Sequence, residues 1–315
     1  MATNPFSPDA IAPETREFNE KLEAIFADLP PTYTIPPQVT RDAREQGGGA
    51  FGPVQTVDEA ENRTIPGPGG DVTIRVMVPP GEVRGVYLHL HGGGWVLGRA
   101  HHQDVRNWHL ANHLGVAVVS VDYRLAPEHP YPAGPDDCEA AARWLVENAK
   151  SEFGADRLII GGESAGGHLA AVTLLRMRDR HGYTGFRAAN LVYGVFDLTP
   201  PPSVRNWGER NLVLSTPTMM WFYDCFVGDR DRQDPEISPL YAHLHDMPPA
   251  LFTVGTLDPL LDDTLFMHAR WAAAGNDAEL AVYPGGVHGF NGFPVPIGQE
   301  ANQRIDSFLA EKLNA

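Results

Sequence analysis

One short stretch limits what this chain can fold into more than any other. Gly162-Glu163-Ser164-Ala165-Gly166 follows an apolar run at 157–162 and precedes a helical pattern at about 166–178. A serine on a sharp strand-to-helix turn needs small residues on both sides, because a Cβ at Gly162 or Gly166 would crowd the turn. Such a turn lifts the Ser164 hydroxyl to the end of a sheet and sets it above a helix N-terminus, where developing negative charge is favoured. The rest of the chain supplies the sheet. VTIRVMVP at 72–79 and RGVYLHLH at 84–91 alternate as strands do, and VAVVSVDY at 116–123 is a nearly continuous apolar run, as expected of a strand covered on both faces. NLVYGVF at 190–196, ALFTVG at 250–255 and ELAVYP at 279–284 are further strand candidates. Helical patterns at about 102–113, 135–150, 166–178, 260–274 and 299–312 fall between and after the strands. Strands separated by helices of this length predict an α/β fold, with a mainly parallel central sheet flanked by helices.

Two stretches stand outside that alternation. Residues 1–55 carry a helix over Glu14 to Phe26, with Phe18, Leu22, Ile25 and Phe26 close to one face. The proline-rich LPPTYTIPP at 29–37 follows, then a second short helix near 38–45 and the flexible Gly47-Gly48-Gly49. Residues 199–245 open on prolines, pass through the apolar MMWFYDCF at 219–226 and continue into the polar GDRDRQDPE. The chain therefore divides into an N-terminal cap segment at 1–55, a core at 56–198, a cap insertion at 199–245 and the remainder of the core at 246–315. The alternative for MMWFY is an ordinary core helix of the main body. Asp229, Asp231 and Asp234 lack the spacing of a calcium loop and read as a solvated turn.

Chemistry concentrates at three further strand ends. His91-Gly92-Gly93-Gly94-Trp95 comes directly after the strand at 84–91. Three consecutive glycines leave unhindered backbone N–H groups, and such a loop can aim two of them at one oxygen. His91, pinned inside the loop, is better read as its anchor than as a base. The chain has 13 histidines, and most fall within a strand, on surface-like helices or in polar turns. His288, in Gly285-Gly286-Val287-His288-Gly289-Phe290 after the last strand, lies on a loop from which a general base can reach the nucleophile. Asp258 is the first carboxylate past the strand at 250–255. It can accept the proton on the His288 ring, hold its tautomer and stabilise the imidazolium. Asp262 and Asp263 compete for that role but fall inside the next helix, where they are expected to face solvent or cap its first turn. The order Ser, Asp, His along the chain is neither that of chymotrypsin nor that of subtilisin. In DYRLAPEHPYPA at 122–133, Pro127, Pro130 and Pro132 rigidify a long loop. Arg124 and Glu128 are expected to pair and clamp it, with direct substrate binding by Arg124 as the rival reading.

Together these stretches resemble the hormone-sensitive-lipase-like family of microbial carboxylesterases, bacterial family IV. HGGGW at 91–95, DYRLAPEHPYPA at 122–133, GESAGG at 162–167, DPLLDD at 258–263 and VHGF at 287–290 carry the resemblance, which spans about residues 85–290. It implies the α/β-hydrolase fold with a helical cap built from an N-terminal segment and an insertion. It implies a triad of Ser164, Asp258 and His288, and an oxyanion hole formed by the N–H groups of Gly93, Gly94 and Ala165. It also implies short- to medium-chain acyl esters as substrates, and a purely supporting role for the 122–133 loop. Glu163 departs from the family pattern, where Asp or Thr is more common; it keeps a carboxylate and adds a methylene.

The expected chemistry is ester hydrolysis through an acyl-enzyme, with no metal or organic cofactor. Trp95, Met220, Trp221 and Phe222 are candidates for an apolar substrate pocket if the cap folds over the site, and cap core if it does not. An amidase, a carbamate hydrolase or a small-molecule deacetylase would use the same groups. A non-catalytic small-molecule receptor of hydrolase fold would be expected to lack a complete triad. Composition narrows the partners. A formal net charge of -16 repels nucleic acid and anionic membrane. No apolar run approaches the roughly 18 residues of a membrane span. MATNPFSPDA lacks the basic-then-apolar pattern of a signal peptide, so the cytoplasm is the expected location. Cys138 and Cys225 have no metal-site spacing and read as buried thiols. The expected partner is a small-molecule ester; a homodimer is left open.

Overall fold

In chain order the elements begin with α1 (Pro13–Ala27) and α2 (Pro37–Glu45), then the strand pair β1 (Ala60–Gly67) and β2 (Gly70–Met77). The α/β alternation follows as β3 (Gly85–Leu90), α3 (Asp104–Leu114), β4 (Val116–Asp122), α4 (Ala133–Phe153), β5 (Leu158–Glu163), α5 (Ala165–His181) and β6 (Ala188–Val192). Two helices interrupt it, α6 (Pro202–Trp207) and α7 (Thr216–Val227), before β7 (Ala250–Leu257), α8 (Leu261–Ala273), β8 (Ala278–Val287) and α9 (Pro296–Asn314). This computed structural model describes residues 4–49 and 51–315. Met1–Thr3, at the head of the signal-peptide reading, and Ala50, within the 1–55 segment, lie outside the described residues.

One eight-stranded sheet runs β1-β2-β4-β3-β5-β6-β7-β8. The β1–β2 and β2–β4 pairs are antiparallel, and every later neighbour pair is parallel. Period-2 alternation sorts the strand side chains between two apolar layers. Val86, Leu88 and Leu90 of β3 face the layer that includes Ala141 and Leu145 of α4 and Leu169 and Leu174 of α5. Tyr87 faces the opposite layer, with Leu110 of α3 and Phe308 of α9. Full burial of a large aliphatic side chain contributes roughly 1.5–3 kcal/mol. Leu158, Ile159 and Ile160 of β5 are all buried, and together they outweigh the roughly 1–3 kcal/mol that one strained backbone position costs. The sheet can therefore hold such a position at the end of β5, where Ser164 sits.

Two strands differ from expectation. β1 is a strand although its sequence, AENRTIPG, does not read as one. It is an edge strand with Ile65 as its buried residue, and Pro66 is tolerated at the edge. The run at 190–196 leaves the sheet after Val192, because Tyr193 turns the chain with a positive φ of 35°. Among the described residues no helix is long and apolar enough to cross a membrane. Both cysteines are free; Cys138 is buried as expected, whereas Cys225 is half-buried.

Candidate active site

The carboxyl ends of β3, β5, β7 and β8 bring the chemistry together. Ser164 takes φ 59° and ψ -120° between β5 and α5, and its N–H donates to the Val192 carbonyl at 2.9 Å. The flanking glycine is required by close approach: a Cβ at Gly166 would run into the Leu90 carbonyl oxygen at the end of β3. The Ser164 hydroxyl donates to His288 Nε2 at 2.9 Å, and His288 Nδ1–H donates to Asp258 Oδ2, also at 2.9 Å. The other Asp258 oxygen accepts the Leu260 N–H at 2.9 Å, so both carboxylate oxygens are engaged. Asp258 is 2% exposed and His288 7% exposed, which keeps the pair largely out of water. The Tyr193 ring lies against the His288 ring, with centroids 4.7 Å apart, and its hydroxyl donates to Asn291 Oδ1. Burial pushes the Tyr193 phenol well above its usual range, so it stays protonated against the imidazole.

The glycine loop abuts this turn. A Cβ placed on Gly92 would stand 3.4 Å from Ser164 Cβ. Gly93 takes φ 116°, which a side chain rarely adopts, and its neighbours Leu97 and Gly98 press on the same face. The N–H groups of Gly93 and Gly94 donate to no backbone acceptor among the described residues, and the Ala165 N–H lies in the first turn of α5, where no intrahelical acceptor exists. His91 anchors the loop as expected: its Nδ1–H donates to the Gly92 carbonyl at 2.8 Å, and its ring stacks on Tyr123 at 4.1 Å.

Trp95 is a correction. It packs as loop support, 2% exposed, stacked on Phe226 of α7 at 4.4 Å and donating to His168 Nδ1 at 3.1 Å. Of the other pocket candidates, Phe222 lies against the glycine loop, where a Cβ on Gly94 would clash with its ring. Met220 and Trp221 are half-buried beside it on α7. Arg124 and Glu128 do not pair. Arg124 grips the buried Asp137 of α4, with Nε–Oδ2 2.9 Å and Nη2–Oδ1 2.8 Å, while Glu128 meets Arg41 of α2. A buried carboxylate one helical turn into α4 offers Arg124 a fixed bidentate partner, whereas Glu128 is half exposed. Asp263 does not face solvent either: it is buried, and its Oδ1 accepts the N–H groups of Phe196 and Asp197 at 2.7 and 2.8 Å. Asp262 accepts the Ser203 N–H at 2.8 Å. Both serve the chain that leaves β6.

Several contributors have no local mark in the sequence. Burial alone would raise the Glu163 carboxyl, but contact with His89 Nε2 at 3.1 Å brings it below its usual value. His89 Nδ1 in turn accepts from Asn107 Nδ2 at 3.1 Å and lies 2.8 Å from Ser120 Oγ. A polar chain thus runs beneath the residue next to Ser164, and its one sequence clue is a histidine inside an apolar strand. From the N-terminal segment, Asn19 Nδ2 donates to the Gly285 carbonyl at 2.8 Å, three residues before His288. Arg41 is buried and donates to the Val96 carbonyl at 2.7 Å and the Ala126 carbonyl at 2.8 Å.

A serine, a histidine and an aspartate lie in line at the carboxyl edge of a mainly parallel sheet, and the chain as a whole is similar to known proteins. Residues 87–292 match the family described as alpha/beta hydrolase fold, and the chain belongs to that family. Ethyl acetate hydrolase of Pseudomonas putida is 35% identical over 230 residues, which span 70% of this chain and 72% of that one. The hyperthermophilic esterase of the archaeon Pyrobaculum calidifontis is 31% identical, with a TM-score of 0.86 over 97% of this chain and 99% of the other. A hormone-sensitive lipase from a metagenome library is 28% identical, with a TM-score of 0.83 over 95% and 98% of the two chains. Within the α/β-hydrolases, the chain's place is among the hormone-sensitive-lipase-like esterases.

Proposed function

We propose that this protein is a carboxylesterase that hydrolyses short- to medium-chain acyl esters through an acyl-Ser164 intermediate. The observation that carries this reading is the unbroken hydrogen-bonded line from Ser164 Oγ through His288 to Asp258, with both contacts at 2.9 Å. His288 Nε2 removes the Ser164 proton as Oγ attacks the ester carbonyl. The negative oxygen that forms is met by N–H groups of Gly93, Gly94 and Ala165, each such donor being worth about 2.7–4 kcal/mol in related chemistry. The imidazolium, held by Asp258, gives its proton to the leaving alkoxide, and the C–O bond of the alcohol breaks. Water then attacks the acyl-enzyme with His288 again taking a proton, and Ser164 leaves as a protonated hydroxyl while the free acid departs. No step calls for a metal or an organic cofactor.

Selectivity is assigned to the roof. The N-terminal segment and the 199–245 insertion act as one cap, a reading supported by the Arg210–Glu23 ion pair between them at 2.8 Å, while Asn19 and Arg41 tie the N-terminal segment to the core. Phe222 closes one side of the space above the glycine loop, with Met220 and Trp221 alongside. A bounded pocket gains roughly 0.8 kcal/mol per buried CH₂ until it is full, and further carbons then clash or stay wet. Specificity constants for aryl esters from about two to sixteen acyl carbons should rise or hold over short chains and then fall steeply. Phe222→Ala should move the fall to longer chains. A sixteen-carbon ester turned over as well as a short one by the intact protein would overturn the bounded pocket.

A further inference from the structure

Two histidines adjacent in sequence turn both Nε2 atoms toward one carboxylate. His101 Nε2 lies 3.0 Å from Glu45 Oε2, and His102 Nε2 lies 2.8 Å from Glu45 Oε1. The three groups offer ligand atoms within 4.8 Å of one another, with the imidazole rings edge to face at 4.7 Å. A tetrahedral Zn²⁺ bound to imidazole and carboxylate at about 2.0–2.2 Å sets neighbouring ligand atoms about 3.3–3.6 Å apart, a little wider than these contacts and within reach of small side-chain shifts. We propose that Glu45, His101 and His102 form a binding site for a borderline divalent cation of the Zn²⁺ type, separate from the groups around Ser164.

The donor set selects the ion. Two imidazoles and one carboxylate suit zinc and its late first-row neighbours, whereas calcium and magnesium require oxygen. His101 and His102 are both half-buried, which partly shields their ring nitrogens from water. The scaffold is fixed in advance. Glu45 closes α2, and one turn earlier Arg41 is locked to the Val96 and Ala126 carbonyls. His101 and His102 sit in the turn Ala100–Gln103, held by the Ala100 N–H to Asp122 Oδ1 at 3.2 Å. The nearby cations are engaged elsewhere: Arg44 stands over the Phe51 ring at 5.1 Å, and Arg99 pairs with Asp122 at 3.2 Å. A bound cation would cross-link the N-terminal segment to the chain that leaves the glycine loop.

The test uses the full chain without a histidine tag, stripped by a chelator, and titrated with Zn²⁺ by calorimetry and against a chromophoric chelator. One Zn²⁺ per chain should bind with micromolar or tighter affinity and raise the melting temperature. Loss of an outer hydrogen-bond partner of a metal ligand alone costs about 10–100-fold in affinity. The double change His101→Asn with His102→Asn, and separately Glu45→Gln, should cost at least as much and abolish the thermal shift. Aryl acetate hydrolysis by the metal-free variants should match the parent, showing that they fold. Absence of binding to the parent overturns the proposal. So does binding that survives in these variants, which would place the ion on other histidines.

Discussion

The turn that carries Ser164 and the N-terminal segment that reaches the same site are held in place by different physics. At the turn, the main constraints come from adjacent strands. Gly166 lies against the Leu90 carbonyl, the Ser164 N–H meets Val192, and Glu163 meets His89. The helix that follows is buried at every residue from Ala165 through Arg178. In the N-terminal segment, Ile25, Leu29, Tyr33 and Val39 are exposed, and few apolar residues bury, Leu22 among them. Its hold depends on polar anchors, Asn19 on β8 just before His288 and Arg41 on the strand-end loops beyond Trp95. Damage to the first region should therefore remove chemistry and leave the fold; damage to the second should loosen the fold first.

His288→Ala should show the largest effect, a loss in kcat on the order of 10⁴–10⁶-fold on an aryl acetate, with an unchanged urea midpoint. A near-normal rate would end the base assignment. Asp258→Asn should cost on the order of 10⁴-fold, because an amide offers the wrong donor to the His288 ring. Asp263→Asn keeps an acceptor for the Phe196 and Asp197 N–H groups and should be far milder in kcat; if it proved the more severe of the two, the acid would be misplaced. Arg41→Met sharpens the contrast. It leaves the Val96 and Ala126 carbonyls without their donor, and such losses cost roughly 1–3 kcal/mol each, so about 3 kcal/mol of stability should be missing in a urea titration. A variant as stable as the parent would mean that packing holds the segment.

The smallest effect is on pH dependence. Burial pushes His168 down to about 4, while it accepts from Trp95 and donates to the Ile237 carbonyl at 2.8 Å. An unfolded chain takes up that proton near pH 6.5, before the folded one does. The contribution is therefore whole above about pH 6.5 and is lost as pH falls toward 4, amounting to about 2 kcal/mol at pH 5. Unfolding free energies at pH 7 and pH 5 should differ less in His168→Asn than in the parent by about that amount. Equal differences would assign the acid sensitivity elsewhere.

What could be read in advance follows the same division. Close backbone approach leaves glycine as its mark, so 92–94 and 162–166 stood out, and strands buried on both faces appear as apolar runs. The histidine at a strand end and the first acid past β7 were legible because topology limits where a partner can come from. The edge strand β1 was hidden by its polar sequence and Pro66. Arg124 and Glu128 are near in sequence and look like partners, whereas their actual partners, Asp137 and Arg41, are brought in when α4 and α2 pack. Trp95 sits beside the glycines in sequence, yet its ring is taken up by Phe226 and His168. Arg41 and Asn19 lie on helices of ordinary polar sequence, and nothing local distinguishes an anchor from a solvated side chain.

The proposed esterase chemistry turns on Ser164 as the nucleophile that takes up the acyl group. Incubation with an aryl phosphonate ester, followed by mass spectrometry of peptides, tests it without reference to the natural substrate. One phosphonyl group per chain is expected, on Ser164, with hydrolysis lost in step with labelling and no label on Ser164→Ala or His288→Ala. Label on another serine, or undiminished hydrolysis by the fully labelled protein, would contradict it.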